Sequence, residues 1–103
     1  MITMNIFDKA AWHIDAGEDE LEVIARFKIV FAFLYENKML SSDGIEILKY
    51  AMDSSVSLDS TMVTEEGSAF LEKYYDDVVL KKTLYQIPTE LYKAYVSFLK
   101  EDK

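Results

Sequence analysis

Residues 18–38, EDELEVIARFKIVFAFLYENK, leave this chain the least freedom. Ile24, Phe27, Phe31 and Leu34 recur at spacings of three, four and three, the period that aligns side chains along one side of an α-helix. Val23, Val30 and Phe33 widen the stripe, and from Ile29 to Tyr35 the apolar residues run nearly all round. A helix of that kind is buried on most sides by its neighbours. Glu18, Asp19 and Glu20 place negative charge in the first turn, where the helix dipole favours it. Glu22 and Arg26 stand four apart in the favourable acid-first order. A buried strand at IVFAF competes, but the periodic pattern is longer than a strand needs.

Such a helix must be covered by the rest of the chain. Half of the 103 residues are hydrophobic, which is enough for one domain with a substantial core. Three glycines and one proline are too few for many short strands and tight turns.

One phrase occurs twice. Residues 41–48 read SSDGIEIL and residues 64–71 read TEEGSAFL, 23 positions apart. Ser41 or Ser42, and Thr64, are good helix N-caps, and Asp43, Glu65 and Glu66 then fall in the first turn. Gly44 and Gly67 fall early, where a missing side chain costs little and lets a neighbour come close. The phrase therefore predicts two helix starts. Ile45, Leu48 and Met52 form one face after the first; Phe70 or Leu71, Tyr74 and Val78 form one after the second.

The remaining segments follow from the same rules. Residues 4–15 carry Phe7, Ala10, Ala11 and Ile14 at helical spacing, with Thr3 as N-cap and Gly17 as stop, which predicts a short first helix. Residues 53–63, DSSVSLDSTMV, alternate apolar residues with serine and predict a loop or short strand, one arm of a small β-hairpin near 55–63. The second phrase opens a helix over 65–83, with Asp77 and Lys81 as another acid-first pair. Pro88 fits the first turn of a last helix whose apolar face is Leu91, Tyr95, Phe98 and Leu99. The expected fold class is all-α: a single domain over residues 1–103, a bundle of four to five helices.

Composition excludes several chemistries. No cysteine is present, so there is no disulfide framework, thiolate zinc site or cysteine nucleophile, as expected for a cytoplasmic protein. The opening residues MITMNIFDKAAWHIDAG do not read as a signal peptide. The longest apolar run, residues 29–35, is too short for a bilayer, which needs about 20 residues. The net charge is −8 and unevenly placed: −4 over residues 1–20, −2 over 21–60, −4 over 61–79 and +2 over 80–103. Such a field repels nucleic acid and anionic membranes and attracts basic partners.

No catalytic set emerges. His13 is the only histidine; Asp15 is nearby, but no G-x-S-x-G or glycine-rich oxyanion loop accompanies it. A partly exposed or hydrogen-bonded helix histidine beside Trp12 is the plainer reading. Asp53, Ser55, Ser57 and Asp59 have the odd spacing of a calcium loop, but Leu58 stands where glycine is needed and Thr64 where glutamate is. Acid pairs at Glu65–Glu66 and Asp76–Asp77 are adjacent and do not face each other on a helix. A di-metal bundle would need two histidines. Three scattered glycines cannot form a phosphate cradle. No enzyme, metal or cofactor is expected.

Helix 18–38, helix 42–52 and a strand-like SVSLDSTMV could be laid out as a winged helix. Its reading helix, SSDGIEILKYAMD, would carry three acids and one lysine, which phosphates repel. The remaining pattern is tyrosine beside acid, as in Tyr74–Tyr75–Asp76–Asp77, the composition of a surface that receives a basic partner.

These observations predict a small acidic protein-binding protein, of the physical class of inhibitors, immunity proteins and antitoxins. Its expected partner-binding residues are Glu65, Glu66, Glu72, Tyr75, Asp76 and Asp77, with residues 15–22 as a second acidic area. The expected partner is a basic protein, not nucleic acid and not a membrane. A self-associating helical module, a homodimer, is the alternative, and a winged-helix regulator a more distant one.

Overall fold

The computed structural model describes residues 5–101. They form one mostly helical domain with a two-stranded antiparallel sheet. Strand β1 (Ile6–Lys9) runs into helix α1 (Ala10–Asp15), followed by α2 (Glu20–Glu36), α3 (Ser42–Tyr50), β2 (Ser57–Asp59), α4 (Glu65–Tyr75) and α5 (Ile87–Glu101). A π-helical turn, Asp76–Leu80, continues α4.

The long central helix forms as its periodicity predicts. Val23, Phe27, Val30, Phe31 and Leu34 of α2 are buried, and Asp19 caps it by accepting from the Glu22 amide at 3.0 Å. Around Phe70 of α4, an aromatic cluster ties three helices together. The rings of Phe33, Tyr74, Tyr95 and Phe98 lie 5.4–6.0 Å from its centroid, Tyr95 and Phe98 edge to face and Phe33 and Tyr74 tilted. Rings so arranged contribute about 0.5–1.5 kcal/mol per pair beyond the area they bury. On α5 the buried residues are Ile87, Leu91 and Ala94, and Pro88 stands second in the helix. Leu99, expected on that inner face, is 42% exposed.

The repeated phrase is a helix start used twice, and the two starts pair with each other. Ser41 Oγ accepts from the Gly44 amide at 3.2 Å and Thr64 Oγ1 from the Gly67 amide at 3.1 Å. Leu40 and Val63 form an antiparallel bridge, in which the Ser41 amide donates to Met62 O and the Thr64 amide to Met39 O, each at 2.9 Å. Each glycine lies against the facing strand. A Cβ on Gly67 would stand 2.6 Å from Met39 O, and one on Gly44 would collide with Met62 O.

Three expectations change. Residues 6–9 are a strand, not the start of a helix, because β1 finds a partner about 50 residues away: Ile6 faces Asp59, Asp8 faces Leu58 and Lys9 faces Ser57. The proposed Thr3 cap lies outside the described residues. The strand at 57–59 forms, but its partner is β1, so no local hairpin, and no wing, is made near 55–63. The helix expected over 65–83 gives way at Asp76 to the π turn, which ends at Leu80. Among the described residues, no helix is long and apolar enough to cross a membrane.

Candidate partner-binding surface

The α4 N-cap and Gly67 fix how this helix leaves the core. Gly67, Phe70, Leu71 and Tyr75 face inward. Glu65, Ala69, Glu72 and Asp76 are therefore aligned outward at spacings of four, three and four, with Glu66 and Asp77 beside them, and all are exposed. Of the cations nearest in sequence, Lys73 is drawn to α5 and Lys81 pairs with Asp77 at the edge of the surface. Lys73 Nζ reaches Glu101 Oε2 on α5 at 2.7 Å, a bond that raises the lysine and, together with the one from Tyr74, lowers the carboxyl from their ordinary values. Lys81 pairs with Asp77 at 3.1 Å, as the i,i+4 spacing predicts. Glu72 accepts from the Asn5 side-chain amide at 2.8 Å. Glu65, Glu66 and Asp76 make no salt bridge among the described residues.

Tyr75 does not belong to this surface. It is 3% exposed, and its hydroxyl donates to Asp8 Oδ2 at 2.6 Å. At position 75 the helix face that packs on β1 is reached, so the ring covers the core and cannot anchor a partner. Burial, then the Asp8 charge and hydrogen bond, hold the phenol well above its usual range.

Asp8 is the centre of a polar network that sequence reasoning missed. A bulge between Ile6 and Asp8 re-aims β1, and Asp8 is buried between α1 and α4. Its Oδ1 lies 2.7 Å from His13 Nε2. Gly17, at φ 98°, turns the chain after α1, and Glu18 comes back so that its Oε2 lies 2.8 Å from His13 Nδ1. Arg26 Nη1 donates to Glu18 Oε1 at 3.2 Å. The predicted Glu22–Arg26 pair is not made; Arg26, whose own side chain is largely buried, turns to the exposed Glu18 instead. Burial pushes the Glu18 carboxyl up, but the bonds from His13 and Arg26 outweigh it and hold the group below its ordinary value. Arg26 Nε and Nη2 are buried without a hydrogen-bond partner among the described residues.

Both ring nitrogens of His13 face carboxylate oxygens. A neutral imidazole carries a single N–H and can donate to only one of the two carboxylates at a time; donating to Asp8 and Glu18 together takes an N–H on both nitrogens. The histidine is thus the hydrogen-bonded helix residue its sequence context predicted. Among the described residues, its hydrogen-bond partners are the two carboxylates and no nucleophile. The signal for this network was slight: Asp8, beside Lys9, interrupting the apolar residues of IFDKAA.

The network also relates the two acidic areas. Tyr75, between Glu72 and Asp76 on α4, is joined through Asp8 and His13 to Glu18 in the acidic turn of residues 15–22. The calcium-like spacing at 53–59 is used otherwise. Asp53 Oδ1 accepts from the Ser55 amide and hydroxyl, and Asp59 Oδ1 from those of Thr61, so each acid folds its own turn.

A scan against protein-family models, a search of curated proteins and a search of solved structures each found no match for this chain.

Proposed function

We propose that this protein works by binding a basic protein and masking its surface, as inhibitors and immunity-type proteins do. One observation carries the reading. The α4 stripe Glu65, Glu72 and Asp76, with Glu66 beside it, is displayed on a capped helix while Lys73 is turned away to Glu101. A fixed field of this sign attracts a cationic partner over a distance set by salt, and gives speed of association and choice of partner more than raw affinity. The loss of Tyr75 from the surface leaves the contact chiefly electrostatic. Exposed Trp12, 53% accessible on α1 beside Asp15, is the aromatic side chain nearest in sequence to the second acidic area.

A tagged copy is incubated with lysate of the native host and washed at low and then high salt. One basic protein held at low salt and released at high salt supports the reading. The same capture is repeated with Glu72→Lys combined with Asp76→Lys, after circular dichroism shows the variant folded. Undiminished capture by that variant rejects the α4 stripe as the contact.

A further inference from the structure

Between α2 and α5 lies an open groove of about 560 Å³, lined by Ile29, Ala32, Phe33, Pro88 and Tyr92, with Glu36 and Asn37 at its α2 side. On α5 the apolar strip continues past the groove. Pro88, Tyr92 and Leu99 are exposed and Val96 half-buried, at spacings that keep them on one outward side. Tyr92 is 66% and Leu99 42% exposed. Beyond this strip, on the side away from α2, stand exposed Lys93 and Lys100. Neither makes a salt bridge among the described residues. The strip is therefore bounded by an acid, Glu36, on one side and by bases on the other.

We infer that this face binds a second copy of the same chain. A two-fold axis running along the strip lays Tyr92 and Leu99 of each copy against those of the other. It also exchanges the two sides, so Glu36 of each copy meets Lys93 of its mate. A two-fold interface requires that reciprocity: whatever residue i touches, its counterpart touches i. The overall charge favours the same choice of occupant. Two chains of −8 repel each other over most of their surface, and residues 80–103, which supply the strip and its lysines, form the segment with net positive charge. An external basic protein would be drawn instead to the acids of α4.

The size of the face sets the strength. At 1.5 Å per residue, α5 is about 22 Å long, and two helices each about 10 Å wide make a face of about 440 Å² in plan. That is about half of the roughly 800 Å² per partner of a standard interface, which is the range of weak and transient association, so the dimer forms only as concentration rises. The surface shares no residue with the α4 stripe, so this inference stands or falls separately from the proposed function.

Charge exchange tests it. The wild-type chain, Glu36→Lys, Lys93→Glu and an equimolar mixture of the two variants are compared by sedimentation velocity from low to high micromolar concentration. The wild type dimerises with rising concentration. Each single variant sets like charges against each other twice and weakens the dimer by about tenfold or more, while the mixture restores both attractive pairs and forms a heterodimer. Tyr92→Glu, at an exposed site that leaves the fold intact, also removes the dimer. Tyr50→Glu, at an exposed position on α3, leaves it unchanged. A wild type that stays monomeric at high micromolar concentration overturns the inference, as do single variants that dimerise like wild type or a mixture that does not pair.

Discussion

The hydroxyl of Tyr75 and the carboxylate of Asp8 meet at 2.6 Å across 67 residues of sequence, and both groups are buried. This bond holds β1 against α4. Replacing Tyr75 by Phe leaves the ring in place and removes the donor, so Asp8 Oδ2 stays buried without it. The expected cost is about 1–3 kcal/mol. Urea unfolding of Tyr75→Phe, followed by circular dichroism, should show a lower midpoint with an unchanged slope.

The same network makes stability depend on pH at both ends of the scale. Glu18 titrates lower in the folded chain than its ordinary 4.5, so its contribution is complete above that value and is lost as pH falls through the folded one. Tyr75 titrates above its ordinary 10.0, so its contribution is complete below that value and is lost as pH rises further. Thermal melts across pH should show Glu18→Gln flattening the acid limb and Tyr75→Phe flattening the alkaline one. Each variant leaves the other limb intact.

Gly67 offers a test in which two effects oppose each other. Alanine is the better helix former by about 1 kcal/mol. Its methyl, however, would stand 2.6 Å from the Met39 carbonyl and 3.1 Å from the Met39 and Val63 side chains. The carbonyl is held by the Thr64 amide and cannot retreat without breaking that bond. Crowding of this kind costs about 1–3 kcal/mol and should win. Gly67→Ala should melt at lower temperature than wild type; an equal or higher melting temperature would show that the two helix starts are looser than described.

The Asp77–Lys81 pair should matter little. Both side chains are about 70% exposed, and exposed i,i+4 pairs stabilise by about 0.3–0.5 kcal/mol. Asp77→Ala should shift the urea midpoint only slightly, and added salt should reduce even that difference.

What could be read from the residues, and what could not, follows from the range of the forces involved. The caps at Ser41 and Thr64, the span of α2 and the Asp77–Lys81 pair depend on neighbours within four positions, and local spacing displays them. Strand β1 depends on Ser57–Asp59, far along the chain, and Phe7, Ala10, Ala11 and Ile14 fit a helix equally well when that partner is ignored. Tyr75 was misplaced for a related reason. Tyr74 and Tyr75 are adjacent and alike, and only the position of β1 decides that Tyr75 turns inward to Asp8. Arg26 had two acids within reach, and the turn at Gly17, which brings Glu18 back, decided between them. The acids of α4 were correctly placed outside because a capped helix with Gly67, Phe70 and Leu71 inward leaves them no other side.

The paired helix starts have a kinetic consequence. The bridge between Leu40 and Val63 closes the intervening segment, which contains α3 and β2, into a loop whose two ends are clasped by the Ser41 and Thr64 amides. A clasp with reciprocal bonds does not open by halves: releasing either amide also frees the glycine packed on the facing carbonyl. In hydrogen exchange, the amides of Ser41, Gly44, Thr64 and Gly67 should therefore lose protection together, as one opening unit, and more slowly than the amides of the exposed turn at residues 53–55.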